Sequence, residues 1–289
     1  MNKYIISTDT TSDLPEDYLQ QHNIALLPLY YNFDGTVYGD KVFLTPKEFY
    51  DKMRHGAMPT TMAVNPELAK EVFTKLLDQG YDILHIAFSS ALSGSCSVAT
   101  TVARELMDER PGSKIIVIDS LCASLGEGLL VHKAVGLKEA GKSIDEAADW
   151  LNQNKLNLCH MFTVDDLHHL HRGGRVSKAS AIIGTLINVK PVLHVDNEGR
   201  LIPLHNVRGR KKALISLVDQ MEASIKDYKG SNDIVFISHG DSIEDAEFVG
   251  NLVKERFGIK EVLINYVSPT IGAHSGPGTI ALFFMGSVR

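Results

Sequence analysis

Short apolar runs alternate with longer segments of helical periodicity in the first half of the chain. The runs are rich in β-branched residues and end in polar ones, which is typical of buried strands. They cover residues 4–7, 83–88 and 114–119. Apolar side chains recur at helical spacing in residues 66–79, 97–110 and 127–140. Because helices of this length join the strands, we expect right-handed crossovers and a parallel sheet, hence an α/β domain.

Three polar loops follow the predicted strands, at residues 9–12, 89–95 and 119–124. The carboxyl ends of parallel strands lie at one edge of a sheet, and α/β proteins bind ligands outside that edge. We therefore expect a binding site that draws on these loops.

The second half of the chain has a different pattern. Residues 189–195 and 201–207 are apolar runs on either side of a polar turn, which predicts a β-hairpin. The other predicted elements are a small apolar segment at 179–186, helices at 211–226 and 243–257, and strands at 233–238, 261–267 and 279–284. We place the boundary near residue 160, with an N-terminal α/β domain at 1–160 and a C-terminal α/β domain at 161–289.

Composition agrees with two globular domains. The chain has 289 residues, of which 44% are hydrophobic, enough for two medium cores. Its formal net charge is −6, and its dense basic run is confined to residues 208–212, so a nucleic-acid-binding face is not expected. Three widely spaced cysteines indicate neither a disulfide framework nor a zinc site. Without a signal-like N-terminus or an apolar run of about 20 residues, we expect a soluble cytoplasmic protein.

The loop at residues 89–95 offers several hydroxyls just before a predicted helix. Ser93 and Ser95 flank Gly94, whose missing side chain lets a ligand approach the backbone. Free N–H groups at the start of the helix favour an anion there. The loop is either a ligand site or a serine-rich helix cap, and spacing alone does not separate the two.

Two further segments carry candidate ligand donors. Thr60 and Thr61 precede a predicted helix and are either ligand donors or turn and cap residues, and their positions alone favour the structural role. In residues 269–279, three glycines and a proline predict a rigid loop that contains His274 and Gly276. A histidine in such a loop is more open to a ligand than one on a helix face, so we expect His274 to be functional.

Two other polar groups have simpler interpretations. Residues 171–177 place two arginines around a Gly-Gly turn, which is either an anion site or, as we expect, a tight turn with solvated arginines. His168 and His171 have the i, i+3 spacing of metal ligands. Two aspartates, Asp165 and Asp166, lie near them in sequence, but nothing else completes a set, so we expect no metal.

Taken together, these motifs and their order resemble the DegV family over essentially the whole chain. They lie at residues 7–15, 59–61, 92–95, 117–120, 173–177, 188–191, 207–212 and 272–278. The resemblance implies a two-domain α/β fold with a lipid tunnel at the domain interface. It also implies a bacterial fatty-acid-binding protein that serves fatty acid kinase, with one long-chain fatty acid such as palmitate as its ligand and no cofactor.

The resemblance assigns roles to individual residues. Thr61 and Ser93 match the positions whose hydroxyls hold the fatty acid carboxyl, and His274 matches the histidine beside it. Arg208 matches the arginine that is associated with the acyl phosphate and the kinase contact. One departure follows Thr61, where the family often has Ser-Gln-Pro and residues 62–64 here are Met-Ala-Val. The change puts the local loop geometry in doubt and could alter the preferred acyl chain.

Phosphorylation of a fatty acid requires a nucleotide site, for which this sequence has no signature. It contains neither a GxxxxGK[ST] loop nor a protein-kinase motif, so the chain is expected to be a carrier that serves a separate kinase rather than an enzyme. One alternative is a hydrolase with Ser93 as nucleophile and His274 as base, oriented by a carboxylate such as Asp9. The lack of a GxSxG motif weakens that alternative, and Asp9 is more simply a partner or cap. Another is a sensor or transport module for a different small molecule.

Overall fold

The computed structural model describes residues 3–39, 41–177, 188–230, 232–287 and 289. The predicted apolar segment at 179–186 lies outside the described residues. The first part of the chain forms β1 (Tyr4–Asp9), α1 (Glu16–Gln21), β2 (Ala25–Leu27), β3 (Tyr30–Phe33), β4 (Thr36–Tyr38), α2 (Pro46–Arg54), β5 (Thr60–Met62), α3 (Pro66–Asp78), β6 (Asp82–Ala87), α4 (Ser95–Glu109), β7 (Ile115–Asp119), α5 (Leu125–Glu139) and α6 (Ile144–Asn154). The second part forms β8 (Leu158–Thr163), α7 (Leu167–Arg172), β9 (Val189–Val195), β10 (Leu201–Arg208), α8 (Arg210–Ile225), β11 (Ile234–His239), α9 (Ile243–Phe257), β12 (Glu261–Tyr266), α10 (Pro269–Ser275) and β13 (Ile280–Met285).

The first sheet is parallel, as the alternation of strands and helices predicts. Its strand order is β2-β1-β6-β7. Helices α3 and α4 cover one face, where Phe73 and Val102 pack on Ile83 of β6 and its neighbours. Helices α5 and α6 cover the other face through residues such as Leu130 and Leu151. Complete burial of a side chain such as Phe73 stabilises the fold by about 1.5–3 kcal/mol.

The second sheet is mixed and has the order β10-β9-β8-β13-β11-β12. β11 and β12 are parallel, whereas the other neighbouring pairs are antiparallel. The predicted hairpin is confirmed, with Leu201 of β10 opposite Val195 of β9. Helices α8 and α9 contribute Leu217 and Val249 to the core against this sheet. The domain boundary near residue 160 falls within β8, which belongs to this sheet, and the division stays a prediction.

A third, smaller sheet was not predicted. It is antiparallel, with the order β4-β3-β5, and its core partners are α2 and α10. Phe49 and Tyr50 of α2 are fully buried there, and the Tyr50 hydroxyl donates to the carbonyl of Val267 at 2.9 Å. This sheet brings β5 alongside α10, which matters for the site below.

Helix α5 contacts strands of both large sheets and holds them together. Its Gly126 lies so close to His160 and Phe283 of the second sheet that a Cβ atom would come within 3 Å of both rings. Within the described ranges, no helix combines the length and the apolar character that a bilayer span requires.

Candidate functional site

A cavity lies between the two large sheets. Its volume is about 990 Å³, including the part that is open to solvent, and its wall is mostly apolar. Phe88 and Leu92 contribute to it after β6, and Phe162, Ala281 and Phe283 contribute to it from the second sheet. Cavities with a mostly apolar wall and a few polar groups are typical binding sites for small apolar ligands.

All three loops that we predicted to form a site reach this cavity. Thr11 lines it from the loop after β1, Ser93 from the loop after β6, and Ser124 from the loop after β7. The cavity thus lies at the carboxyl ends of the parallel strands. The wall residues Met62 and Gly94 are exposed to solvent, whereas other residues of the wall are buried.

Thr61 and His274 meet in the wall of the cavity. The Oγ1 atom of Thr61 lies 2.8 Å from Nε2 of His274, within hydrogen-bond distance. Thr61 is held in position by the pairing of β5 with β3, where it lies opposite Tyr31. It is therefore a strand residue and not a turn or cap residue. The cap of the following helix is Asn65, whose side chain accepts from the N–H groups of Glu67 and Leu68.

The expectation that His274 lies in a rigid loop is wrong, because residues Pro269–Ser275 form helix α10. Pro269 occupies the first helical turn, where its missing N–H is no cost. Gly276 ends the helix with a φ of +78°, a conformation that glycine adopts readily. His274 lies in the last turn of this helix and is half-buried.

The imidazole of His274 is neutral at physiological pH. Burial, and to a smaller extent the nearby Arg175 and Arg172 guanidinium groups, lowers its pKa to about 4. A neutral imidazole has one donor and one acceptor nitrogen. It can therefore donate to the Thr61 hydroxyl, and so leave the Thr61 proton for a ligand, without carrying a charge into the cavity.

Ser93 belongs to a chain of hydroxyls at the start of α4. Its Oγ lies 2.9 Å from Oγ of Ser95 and accepts the Ser95 N–H at 3.2 Å. Oγ of Ser95 in turn accepts the N–H of Val64 at 3.2 Å, which ties the segment after β5 to α4. Gly94, at the N-cap, is exposed and lines the cavity, and a Cβ atom there would meet no protein atom within 4 Å. The N-terminus of a 15-residue helix therefore faces this end of the cavity, where it favours an anion.

Arg175 also lines the cavity, contrary to the expectation that it is solvated. Its Nε and Nη2 atoms donate to the carbonyl of Leu92 at 3.2 and 2.9 Å, and Nη1 donates to the carbonyl of Gly173. The Gly-Gly turn itself is present, with Gly174 at a φ of +73°. The two glycines of this turn were the only sequence signal near Arg175. The contact with Leu92 could not be predicted, because it joins residues 83 positions apart.

Gly173 and Ser275 are two more residues that sequence reasoning missed. A Cβ atom on Gly173 would lie 2.0 Å from Nδ1 of His274, so the backbone packs directly against the imidazole. Ser275 lines the cavity next to His274, and its buried Oγ has no hydrogen-bond partner among the described residues.

Among the residues that the structure describes, neither Gly276 nor Arg208 lines the cavity. A Cβ atom on Gly276 would lie 2.5 Å from Cδ2 of His169, so this glycine packs against α7. Arg208 is exposed at the end of β10, opposite Val189 in the register of the hairpin. The structure thus brings Thr61, Ser93 and His274 to one cavity and leaves Arg208 on the surface.

Asp9 does not orient His274, so the geometry does not support the hydrolase alternative. One oxygen of the fully buried Asp9 carboxyl accepts the N–H of Phe88 at 2.8 Å, and the other lies 3.7 Å from Nε2 of His85. Burial raises the pKa of Asp9 to about 7. The neighbouring Glu127, also buried, accepts the Thr8 hydroxyl at 2.8 Å, and its pKa is raised well above the usual range by burial and by Asp9. Asp9 thus acts as a partner within the core.

The acidic and histidine residues near α7 have structural partners. Asp165 pairs with Lys190 at 2.7 Å and Arg210 at 3.4 Å, and Asp166 caps α7 by accepting the N–H of His168 at 2.8 Å. Across the described part of the chain, no three His, Cys, Asp or Glu side chains form a cluster suited to a metal ion.

Comparison with known sequences gives full-length matches. The DegV family, whose model is described as covering uncharacterised proteins, matches residues 3–287. A DegV domain-containing protein of Clostridium perfringens is 42% identical over 291 residues, which cover 100% of this chain and 99% of that protein. The DegV domain-containing protein YteA of Lactococcus lactis is 36% identical, with 96% of each chain covered.

Solved structures match over the same length. A fatty-acid-binding DegV family protein from Thermus thermophilus has a TM-score of 0.87 at 31% identity, covering 99% of this chain and 100% of that one. A stearic-acid-binding protein from Eubacterium ventriosum has a TM-score of 0.91 at 26% identity, covering 98% of both chains. DegV of Bacillus subtilis, a fatty-acid-binding protein, has a TM-score of 0.84 at 28% identity, with 99% and 100% covered.

Proposed function

Because this chain belongs to the DegV family, we propose that it binds one long-chain fatty acid, such as palmitate, in the cavity between its sheets. The carboxyl group accepts from the hydroxyls of Thr61 and Ser93, His274 helps to hold it by orienting the Thr61 hydroxyl, and the acyl chain extends inward along the apolar wall. The observation that carries this proposal is the 2.8 Å contact between Thr61 and His274 at a cavity that is otherwise mostly apolar.

The apolar wall supplies the driving force for binding. Each buried CH₂ group contributes about 0.8 kcal/mol, so the roughly fifteen carbons of a palmitate tail contribute about 12 kcal/mol before the costs of association. Solved relatives named for bound fatty acid or stearic acid share the fold and support this choice of ligand.

The polar end of the cavity offsets the cost of burying the head group. A carboxyl group that is buried without partners is strongly disfavoured. In the tautomer with its proton on Nε2, His274 donates to Thr61 and leaves the Thr61 O–H free to donate to the ligand. Ser93 supplies a second hydroxyl, and Arg175 places a positive charge nearby that favours the ionised carboxyl.

The chain acts as a carrier that presents its fatty acid to a separate fatty acid kinase. A carboxylate held by neutral donors keeps an oxygen available for attack on a phosphoryl group that the partner supplies. Arg208, exposed at the end of β10, is the residue that we assign to the contact with the acyl phosphate and the kinase. Its side chain is free to serve this role without disturbing the cavity.

The head-group assignment is tested by identifying the lipid that co-purifies with the protein. Native mass spectrometry of the wild-type protein should find one long-chain fatty acid per chain. Thr61→Val and Ser93→Ala each remove a hydroxyl and should reduce the retained acid about tenfold. Thr60→Val, on the exposed position next to Thr61, is the matched control and should retain the acid in full. Equal retention in all four proteins would refute the assignment.

The partner role needs a separate measurement with a purified fatty acid kinase. Arg208→Ala should retain its fatty acid but give at least a tenfold lower rate of acyl phosphate formation. Arg104→Ala, an exposed arginine on α4, should keep the wild-type rate. If Arg208→Ala turns over normally, Arg208 has no part in the kinase contact.

A further inference from the structure

The small antiparallel sheet, β4-β3-β5, carries a group of exposed apolar side chains. Among the described residues, eight large apolar side chains are exposed, and five of these lie within residues 37–62, on or beside this sheet. We call these five the apolar face: Val37, Val42, Phe43, Met58 and Met62. Single exposed apolar side chains are ordinary on a protein surface, but a contiguous group of them marks a site that another molecule covers.

The strand register places Val37 and Met62 on the outer side of the small sheet. Side chains of a strand alternate between the two sides of a sheet, and directly paired residues share a side. Tyr31 and Phe33 of β3 point into the core against α2 and α10. Residues 30 and 32 of β3 therefore point outward, and so do their partners on the neighbouring strands, which are Val37, Thr60 and Met62.

The turn after β4 extends the apolar face beside the outer side of the sheet. The N–H of Gly39 donates to the carbonyl of Val42 at 3.1 Å, and a Cβ atom on Gly39 would lie 3.1 Å from the ring of Tyr30. The turn therefore lies against Tyr30, which pairs with Met62. It leads directly from Val42 to Phe43, whose side chain is 69% exposed.

The apolar face reaches the exposed part of the cavity wall. Met62 is 42% exposed and also lines the cavity, next in sequence to Thr61 of the carboxyl site. Met58, which is 67% exposed, lies four residues before Met62 on the same segment. The cavity wall is thus continuous with the exposed apolar side chains outside it. A fatty acid that leaves the cavity past Met62 passes onto the apolar face.

The charges around the apolar face indicate which surface it fits. The outward positions of the three strands hold uncharged residues, which are Tyr30, Asn32, Val37, Thr60 and Met62. Helix α2 packs on the inner side, and its Lys47 and Asp51 pair with each other at 3.1 Å. Lys41, beside Val42 in the turn, is exposed, and its long side chain can reach lipid head groups while the turn contacts the apolar interior. An uncharged apolar surface fits a neutral bilayer, whereas a basic surface is drawn to anionic head groups.

We propose that the apolar face docks on the surface of a lipid bilayer, and that the fatty acid passes between bilayer and cavity while the protein is docked. This inference rests on the proposed function, since it takes the ligand of the cavity to be a fatty acid. Direct passage keeps the acyl chain out of water, where its apolar surface is unfavourable. A protein partner is the other possible occupant, but the continuity of the apolar face with a cavity for lipid favours the bilayer.

The test measures how fast the full-length protein, loaded with palmitate, delivers it to vesicles of neutral phosphatidylcholine. Native mass spectrometry follows the loaded fraction over time at several vesicle concentrations. The rate should rise in proportion to the vesicle concentration, because delivery by docking needs a collision. Delivery through water is limited by release from the protein, so a rate that does not depend on the vesicle concentration would overturn the inference.

Salt distinguishes apolar docking from attraction by basic residues. An increase in sodium chloride from about 0.1 to about 0.5 M screens charges and should leave the delivery rate within about twofold of its first value. A tenfold fall in the rate would trace docking to a basic surface and would contradict the role of the apolar face.

Variants place the docking on the apolar face. Phe43→Ser and Met58→Ser each remove an exposed apolar side chain that does not line the cavity. They should hold palmitate as the wild type does but deliver it about tenfold more slowly, because less apolar surface enters the bilayer. Leu156→Ser and Ile243→Ser change exposed apolar side chains outside the apolar face, and these matched controls should deliver at the wild-type rate.

The outcomes separate this inference from the proposed function. If all four variants deliver palmitate at the wild-type rate, the apolar face does not dock on the bilayer and the inference fails, while the carrier proposal stands. If Phe43→Ser delivers normally but slows acyl phosphate formation by a purified kinase, the apolar face binds the protein partner, which also overturns the inference. If the wild-type protein holds no palmitate, the proposed function itself fails.

Discussion

Gly173 is the residue at which a single methyl group should disable the carboxyl site. A Cβ atom on Gly173 would lie 2.0 Å from Nδ1 of His274, so alanine must displace the imidazole from the position in which it contacts Thr61. The φ of Gly173 is ordinary at −72°, which means that alanine strains the contact rather than the backbone. We expect Gly173→Ala to lower the retained fatty acid at least tenfold, as measured by native mass spectrometry, with a smaller effect on thermal unfolding.

The matched control for this substitution is Gly136→Ala. Gly136 lies within helix α5, and a Cβ atom there would meet nothing within 4 Å. Alanine is the better helix former by about 1 kcal/mol, so the variant should be at least as stable as the wild type and retain its ligand. Full retention in Gly173→Ala would mean that the orientation of His274 does not matter for binding.

Asp13 should make the protein less stable as the pH rises. Burial raises the pKa of its carboxyl to about 7, although hydrogen bonds from Ser124 and Ser268 lower it in part. In the unfolded chain the carboxyl ionises near pH 3.8. Between about pH 4 and 7 the folded state therefore holds a proton that the unfolded state has lost, and the free energy of unfolding falls with rising pH. The full effect, reached above pH 7, is about 4 kcal/mol for three pKa units.

Asp13→Asn removes this titration and should flatten the pH dependence. We subtract the wild-type free energy of unfolding from that of the variant. This difference should increase by about 1.4 kcal/mol for each unit of rising pH between pH 5 and 7. Urea unfolding at several pH values measures the difference. Asp17→Asn, at an exposed position of α1, is the control and should follow the wild-type curve. Parallel curves for wild type and Asp13→Asn would show that Asp13 is ionised in the folded protein throughout this range.

At the scale of elements, periodic segments were predicted well and short ones were missed. Strands β1, β6 and β7 and helices α3, α4 and α5 have strong apolar patterns, and their bounds differ from the predictions by a few residues, whereas strand β2 and helix α6 were not predicted. The small sheet was missed because its strands have only three or four residues, too few to show a period. Helices α2 and α6 could have been found from their capping boxes, Thr45 with Glu48 and Ser143 with Glu146.

The site residues that could be predicted are those with an unusual sequence context. Residues that only the fold brings to the cavity could not be predicted. A hydroxyl-rich loop before a helix and a histidine among glycines pointed to Ser93 and His274. Arg175 has ordinary sequence surroundings, and its place in the cavity wall depends on a tertiary contact with Leu92. The glycines of residues 269–279 predict a loop, but Pro269–Ser275 form a helix, which the proline at its first turn favours.

Ser95 links two elements that both carry residues of the site. It begins α4, and its hydroxyl accepts the N–H of Val64 after β5 and bonds to Ser93. Ser95→Ala leaves the Val64 N–H without its partner in a buried place, which should cost about 1–3 kcal/mol of unfolding free energy. The same change should weaken fatty acid retention, because it loosens Ser93.

Ser97→Ala is the control for Ser95→Ala, since Ser97 is exposed on the same helix two residues later. Its urea unfolding curve and its fatty acid retention should match those of the wild type within error. A loss at Ser97 equal to that at Ser95 would trace the effect to the helix start in general and not to the link with Val64.

At the scale of the whole molecule, the cavity exists because both large sheets pack against helix α5 but do not pack tightly against each other. Helix α5 contacts both sheets, and its Gly126 allows the helix to approach the second sheet closely at His160 and Phe283. Beyond that contact, the facing side chains do not fill the space between the sheets. The depth of this gap should therefore set the longest acyl chain that the protein accepts.

Ala281 offers a way to shorten the cavity without touching the carboxyl site. It lines the cavity on β13, two residues from Thr279, which places it about 7 Å along the strand. A phenylalanine there should block the path beyond about six carbon–carbon bonds, given an advance of about 1.2 Å per bond. Each CH₂ group excluded from the cavity costs about 0.8 kcal/mol, so Ala281→Phe should lose palmitate and keep only a weak affinity for acids such as octanoate.

Thermal unfolding with added ligand measures this change. Palmitate at one hundred times its dissociation constant stabilises the wild type by about 2.7 kcal/mol, which raises Tm by several degrees. In Ala281→Phe that rise should vanish while the ligand-free protein unfolds at or above the wild-type Tm, because the phenylalanine fills empty space. Ala223→Phe, exposed on α8, adds the same side chain away from the cavity and should keep the palmitate response. If Ala281→Phe responds to palmitate as the wild type does, the acyl chain does not pass Ala281, and the path drawn here between the sheets is wrong.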